Sequence, residues 1–276
     1  LPHGWCPPVC PGTAVVSMGG AVGNDVHGKK QQNMGDFGDH VDWVELLMPD
    51  GVKRRITPES DPDVFAATIG GIGLTGIILS LQLRLMRVPS NAMVLRELRV
   101  RDLDALMELL RSSEKEYPYV VGWIDTLARG HRMGRGIVEL GRHDSRDVPV
   151  RQTRSVDIPF DFPSWVLNPQ TVGACNSVYF HRVPAGGRTR RIHMNRFLFP
   201  LDALRNWNRM YGGNGVYQFQ CVVPFTHARS AIIQLMEEAT RSRGTSILSV
   251  LKSTGKEGRG MLSFPMPGFS LALDFP

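Results

Sequence analysis

Ser17 to His40 reads SMGGAVGNDVHGKKQQNMGDFGDH, and how this stretch is read decides the fold. It holds Gly19-Gly20 and Gly23, then Asn24-Asp25, then His27-Gly28-Lys29, and a second glycine-spaced turn closes at Asp39-His40. Glycine inside a helix or strand costs conformational entropy, so this density predicts a loop whose backbone runs close to another group. The flanks Ala14-Val15-Val16 and Val41, Trp43 and Val44 have the character of buried strands. A glycine-rich loop between buried strands offers backbone N–H donors to a bound group.

Working outward, Thr13–Met18 reads as a short strand and Trp43–Met48 as a second. Pro49-Asp50-Gly51 is a turn signal, and Val52–Thr57 returns as the partner of a hairpin. Asp61-Pro62 predicts a helix start, with the stop at Gly70-Gly71. From Ile77 to Val88, leucines at 79, 81, 83 and 85 alternate with Ser80, Gln82, Arg84 and Met86, which is the period of a half-buried strand. Pro89-Ser90-Asn91 marks a boundary, dividing the chain into residues 1–89 and 90–276. Beyond it come a strand (Met93–Val100), a helix capped by Asp102 and strands at Tyr119–Asp125 and Gly136–Leu140. An irregular segment runs from Gly141 to about Pro163, and a further strand lies within Phe180–Phe199. Val216–Val223 is a strand, followed by a helix capped by Thr226, with Ile232, Leu235, Met236 and Ala239 on its apolar face and Gly244 as its stop. Strands at Ile247–Lys252 and Phe269–Phe275 complete an α+β pattern in two parts.

The chain has 276 residues, 42% hydrophobic and 21% charged, the balance of a soluble globular protein, and no apolar run is long enough to span a bilayer. It opens LPHGWCPPVCPG, without an initiator Met or a signal-peptide core, and stops inside an apolar stretch, so a fragment cut at both ends is expected. A net charge of +6 and a pI near 9.4 are compatible with nucleic acid, anionic lipid or a phosphorylated substrate. The densest basic clusters, Arg188–Arg191 and Arg129–Arg135, lack interleaved aromatics and read as solvated loops, which argues against nucleic acid as a partner. Four cysteines are too few for a disulfide framework, and Cys6-x-x-x-Cys10 has no second pair with metal spacing, so no metal site is expected. A reducing compartment fits best, with cytoplasm or the membrane periphery favoured over secretion.

Strand periodicity also gathers polar side chains. Gln218 and Gln220 share one face of their strand, Lys252 ends the face carrying Leu248 and Val250, and Ser270, Ala272 and Asp274 share a face of the last strand. If these strands are neighbours, Gln218, Gln220, Lys252 and Ser270 line one polar, cationic floor. The alternative is the wet face of an antiparallel sheet, which the pattern alone favours.

GGAVGNDVHGK (Gly19–Lys29), with Gly12-Thr13 before it, resembles the FAD-linked oxidases of the vanillyl-alcohol oxidase type. The resemblance is greatest to their decaprenylphosphoryl-β-D-ribose 2-oxidase branch. It continues through Phe37–His40, Phe65–Gly71 and Gly73–Ile78, then Trp207–Arg209, Tyr217–Gln220, Leu262–Pro265, Pro267-Gly268 and Asp274–Pro276. It is poor between about His143 and Tyr179.

The resemblance implies the second part of a flavin-binding domain (1–89) followed by a C-terminally truncated substrate domain (90–276). It implies FAD along Gly12, Ser17, Met18, Gly19, Gly20, Asn24, Asp25, Val26, His27 and Ile78. It implies a substrate pocket lined by Lys29, Trp123, Gln218, Gln220, Lys252 and Ser270, with His27 and Lys252 at the chemistry. The implied reaction is hydride transfer from a secondary alcohol of a sugar or sugar-lipid to flavin N5. A short-chain reductase partner and peripheral membrane contact through a lipid-linked substrate are implied in the same way. An aldonolactone or alditol oxidase of the same superfamily, or a non-catalytic flavin-binding protein, are the alternatives. The chain departs from the family at Lys30-Gln31-Gln32, where Asn-His-His is usual, and at Gly71-Ile72-Gly73, where Gly-Asn-Gly is usual. Ser270 and Ala272 stand where the mycobacterial enzymes carry Asn and Cys.

Overall fold

The computed structural model describes residues 3–149, 155–241 and 246–276. Contrary to the loop expected, the glycine stretch opens with a helix, α1 (Met18–Gly23). Ser17 caps it, its hydroxyl accepting from the Gly20 N–H at 3.0 Å, and the Asn24 amide donates to the Gly20 carbonyl at 2.9 Å. Tertiary packing outweighs the glycine cost here: α1 packs on the strand that carries Ile78, where a Cβ at Gly19 would make ordinary contact at 3.6 Å. The strand expected at Thr13–Met18 does not form. Thr13 and the Ala14 N–H are tied instead to the Asp202 carboxylate, at 2.5 and 3.0 Å, and Val15 and Val16 are exposed.

The first sheet contains β1 (Val41–Leu47), β2 (Lys53–Ile56) and, after the Pro-initiated helix α2 (Pro62–Thr68), β3 (Ile77–Leu83). Its order is β2-β1-β3, antiparallel throughout, and the β1–β2 hairpin turns on Gly51 at φ +80°. Val22, Phe37, Val44, Leu46, Ile56 and Phe65 form its core with α1 and α2. The long strand expected to Val88 is broken: β3 ends at Leu83, and Met86–Arg87 pairs with Trp5–Cys6.

The second sheet takes β4 (Ala92–Val100), β5 (Tyr119–Ile124), β6 (Gly136–His143), β7 (Arg188–His193), β8 (Tyr217–Pro224), β9 (Ser249–Thr254) and β10 (Gly268–Phe275). Among the described residues it is seven-stranded and antiparallel, in the order β7-β4-β6-β5-β9-β10-β8. On one face lie α3 (Leu103–Ser113), capped by Asp102, and α6 (Ala228–Arg241). Leu106, Leu110, Ile232 and Met236 from these helices meet Val120, Val138, Leu251 and Leu271 from the strands. The Gly244 stop expected for α6 lies outside the described residues. The opposite face carries α4 (Pro169–His181), which was not expected although Asn168-Pro169 is the same cap-and-proline start as Asp61-Pro62, and α5 (Met194–Leu198).

The Arg188–Arg191 cluster is not a solvated loop but edge strand β7. Arg188, Arg190 and Arg182 converge on the fully buried Glu97 carboxylate at 2.6, 2.9 and 2.6 Å, and Arg191 pairs with Asp144. Burial alone would raise Glu97, but the Arg188 hydrogen bond and the arginine charges hold it below the usual carboxylate range. The clustered charge is therefore paired with buried carboxylates, though the arginines remain about a third to a half exposed.

Candidate functional site

Strands β9, β10 and β8 are neighbours, and their register sets Lys252 opposite Ser270, Gln220 opposite Ala272 and Gln218 opposite Asp274. The four residues gathered by periodicity thus share the face away from α3 and α6. The Gln220 amide donates to Ser270 Oγ at 2.9 Å and to His27 Nε2 at 3.2 Å. Lys252 Nζ donates to the Gly28 carbonyl at 3.5 Å. The loop after α1 therefore docks His27-Gly28 onto the polar face of the large sheet. That approach leaves no room for a side chain at 28, since a Cβ there would sit 2.5 Å from the Cys10 carbonyl. Phe264 meets the His27 ring edge-on at 5.4 Å. Gln218 is turned to a different partner, donating to Asp274 at 2.8 Å.

Burial pushes Lys252 down to about 8; Lys29 adds to this and Asp36 opposes it. Burial, then the Lys252 charge, holds His27 well below the ordinary histidine value, so it is a neutral imidazole. Asp36 lies wholly out of solvent, and burial, with Asp25 and Asp39 nearby, raises it to about 7. A buried amine that loses its proton near neutral pH is suited to proton transfer.

Beside this cluster lies a cavity of about 410 Å³. Its walls are mostly apolar and aromatic (Trp123, Leu201, Trp207 and Tyr211 among them), and the charged residues lining it are Lys29 and Glu139. Trp123 packs on Tyr179 of α4 at 4.8 Å between ring centres. Lys29 Nζ donates to the Phe197 carbonyl at 2.5 Å and stands 3.9 Å from Glu139. Burial lowers the Lys29 pKa, and Glu139 counters it.

The remaining residues named from the sequence are dispersed. The cap Ser17 and Met18 are exposed at the start of α1, Gly19 and Gly20 are half-buried behind them, and Ile78 packs beneath from β3. Asn24 ends the helix, and Val26 joins the first core. Asp25 is buried at φ +40°, its carboxylate accepting from Gly38 N–H at 2.7 Å and Ser263 Oγ at 2.5 Å. Gly12 lies by Leu201 at the cavity wall. Sequence inspection missed Glu139, Tyr179 and Asp36. Glu139 carries the one available signal, a charge on the alternate face of the otherwise apolar run Gly136–Gly141. Among the described residues, no group of His, Cys, Asp and Glu could hold a metal, and no helix is long and apolar enough to cross a membrane.

No protein-family model matches the chain. Over its whole length it is 34% identical to decaprenylphosphoryl-beta-D-ribose oxidase of Mycolicibacterium smegmatis, of which it spans 62%. It is 31% identical, again over its whole length, to an uncharacterised protein from the mprA 5′ region of Streptomyces coelicolor, spanning 78% of it. A shorter match, 31% identical over 88 residues (32% of this chain and 10% of the other), is to the FAD-linked oxidoreductase pytB of Aspergillus terreus.

Proposed function

The chain belongs to the FAD-linked oxidases of the decaprenylphosphoryl-β-D-ribose oxidase type, and from that premise we propose that the protein oxidises a secondary alcohol of a sugar or sugar-lipid. The observation that carries the reading is the meeting of His27 with Gln220 and Ser270, beside Lys252 and the cavity. Residues 1–89 then act as part of the cofactor-binding half and residues 90–276 as the substrate-binding half.

The residues present fit FAD. Val16 and Met18 are exposed apolar side chains at the start of α1, and Phe264, also exposed, stands edge-on to His27 at 5.4 Å, offering apolar surface to a flat ring system. Gly19 and Gly20 keep the α1 backbone open to close approach. Ser17–Gly20, Asn24–His27 and Ile78 would hold the cofactor, with Gly12 at the rim. Bound FAD would supply the two-electron chemistry, accepting hydride from the carbinol carbon. Lys252 takes the hydroxyl proton as that carbon is oxidised to a ketone, its low pKa making the free amine available near neutral pH. Neutral His27 accepts from Gln220 and so orients that amide over Ser270. Trp123 and Lys29 fix the substrate within the cavity, from which the apolar walls exclude water.

The test is the visible spectrum of the full-length protein, followed by anaerobic addition of sugars, polyols and polyprenyl-phosphoryl sugars. Flavin bands that bleach with one class support the reading and identify that class. Absence of flavin when FAD is supplied would sink it.

A further inference from the structure

Two lysines stand beside His27-Gly28, and their amines differ in what surrounds them. Lys252 Nζ has the Gly28 carbonyl at 3.5 Å. The titratable groups that face it are His27 and Lys29, from the loop after α1, and Asp36 from the turn beyond. Among the described residues Lys252 forms no direct ion pair. Lys29 Nζ, by contrast, has Glu139 Oε2 at 3.9 Å. It also donates to the Phe197 carbonyl at 2.5 Å and lies 4.2 Å from the centre of the Phe197 ring, whose face attracts a cation. Burial lowers both amines, and at Lys29 it is Glu139 that opposes the burial.

Glu139 is itself held in place. It stands in the middle of β6 and lines the cavity, directly opposite Glu97 of β4. Arg182, at the end of α4, donates to Glu139 Oε1 at 3.3 Å, to Glu97 at 2.6 Å and to the Tyr179 hydroxyl at 2.9 Å. Arg182 thus engages Oε1 and leaves Oε2 toward Lys29. Nor does Glu139 cancel Lys29. Around the two facing carboxylates stand Arg182, Arg188, Arg190 and Lys29, so the cations are in excess. Lys29 keeps its charge for an oxygen-rich or phosphoryl group in the cavity.

Two amines in one desolvated site repel when both are charged, so one of them gives up its proton first. A carboxylate fixed beside one amine decides which. We propose that Glu139 is a positioning residue: anchored by Arg182, it keeps Lys29 a cation aimed into the cavity, so that Lys252, not Lys29, serves as the base. Its catalytic meaning rests on the oxidoreductase reading, but the assignment of charge stands on the site's geometry.

The two amines can be followed in the full-length protein, without substrate, by heteronuclear NMR of the lysine Cε–H groups from about pH 6 to about pH 11. The signal that titrates at about 8 should vanish in Lys252→Met. The Lys29 signal, identified by its loss in Lys29→Arg, should titrate at least about one pH unit higher. Glu139→Gln, which keeps size while removing the charge, should lower the Lys29 midpoint by at least about one unit. It should also raise the Lys252 midpoint, because a neutral Lys29 no longer repels it. In turnover the same variant should raise KM about tenfold and move the limb of kcat/KM upward from about 8, with kcat at about pH 10 unchanged. Glu139→Asp, which restores the charge, should recover most of these shifts, as a merely structural role would not require. A signal titrating at about 8 that belongs to Lys29, or equal midpoints for the two lysines, would overturn the proposal. Those outcomes need no substitution at Glu139, so they decide the matter even if Glu139→Gln does not fold. An unmoved Lys29 midpoint in a folded Glu139→Gln protein would overturn it as well. The expected midpoints in a protein whose flavin no alcohol bleaches would sink the redox reading and leave this one standing; bleaching flavin with Lys29 titrating first would do the reverse.

Discussion

At the scale of single residues, two buried groups give the site its pH dependence. Lys252 titrates at about 8 in the fold, against an unfolded value of about 10.4. Between these values the unfolded chain binds more protons, so stability rises with pH from about 8 to about 10.4, and the full cost of burying the charge is present below about 8. Lys252→Met should therefore stabilise the fold at pH 7 in denaturant titrations while lowering turnover by about 10²–10⁴-fold. In the wild type, kcat/KM should rise as pH passes through about 8. Asp36 behaves oppositely. Its folded value of about 7 lies above an unfolded value of about 3.9, so its contribution falls as pH rises from about 4 to about 7. Asp36→Asn should gain about 1–3 kcal/mol at pH 8 and nothing at pH 4. Because Asp36 is the group that holds Lys252 up, the same substitution should move the kinetic limb below about 8.

At the scale of elements, the turn after α2 and the edge strand β7 carry the sharpest expectations. Ile72 is 70% exposed and sits at φ +55°, a conformation that β-branched residues avoid at a cost of about 1–2 kcal/mol. Its N–H nonetheless donates to the Gly23 carbonyl at 2.7 Å, so the turn is kept because it latches α1. Asparagine tolerates this region, and Ile72→Asn should raise the thermal midpoint by an amount equivalent to about 1 kcal/mol. Beneath β7, Glu97 of β4 is fully buried and gathers Arg188 and Arg190 of β7 together with Arg182 at the end of α4. Glu97→Gln would take the carboxylate from Arg188 and Arg190 and leave Arg182 with Glu139 alone. The cost should fall toward the lower end of about 3–5 kcal/mol, because the arginines keep a quarter to a third of their exposure and solvent screens them. Urea titration of the variant checks it.

At the scale of the whole molecule, the segment from His27 to Asn33 crosses from one sheet to the other. The Lys29 carbonyl accepts from Val120 N–H of β5 at 3.0 Å, and the buried Gln31 side chain bonds Gly255 N–H at 2.6 Å and the Lys256 carbonyl at 3.1 Å. Lys256 returns to Asp39 at 2.9 Å, and Ser263 returns to Asp25. Each half thus completes the hydrogen bonds of the other. The two sheets should melt in one calorimetric transition, and Gln31→Ala should lower that transition as a unit, by about 1–2 kcal/mol for the two partly exposed partners left to solvent. Two separated transitions in the variant would show that the coupling runs elsewhere.

Local chemistry was enough to place the Pro49-Asp50-Gly51 hairpin, the Asp61-Pro62 helix start, and the polar faces of β8, β9 and β10. Each of these depends on backbone preferences or on a period of two within a few residues. The glycine run misled, because α1 is held by a cap and by Ile78, some sixty residues away. Glu139 and Glu97 could not be read as a pair, since Arg182, which binds them, lies 43 and 85 residues distant. Arg188–Arg191 looked like surface charge until β7 was paired to β4. By itself, then, the sequence determined the family, the α+β class and which strand faces are polar, because those are local or cumulative signals. Tertiary structure alone decided which charges are cancelled and which remain available, because an ion pair is a property of distance and burial, and neither is written along the chain.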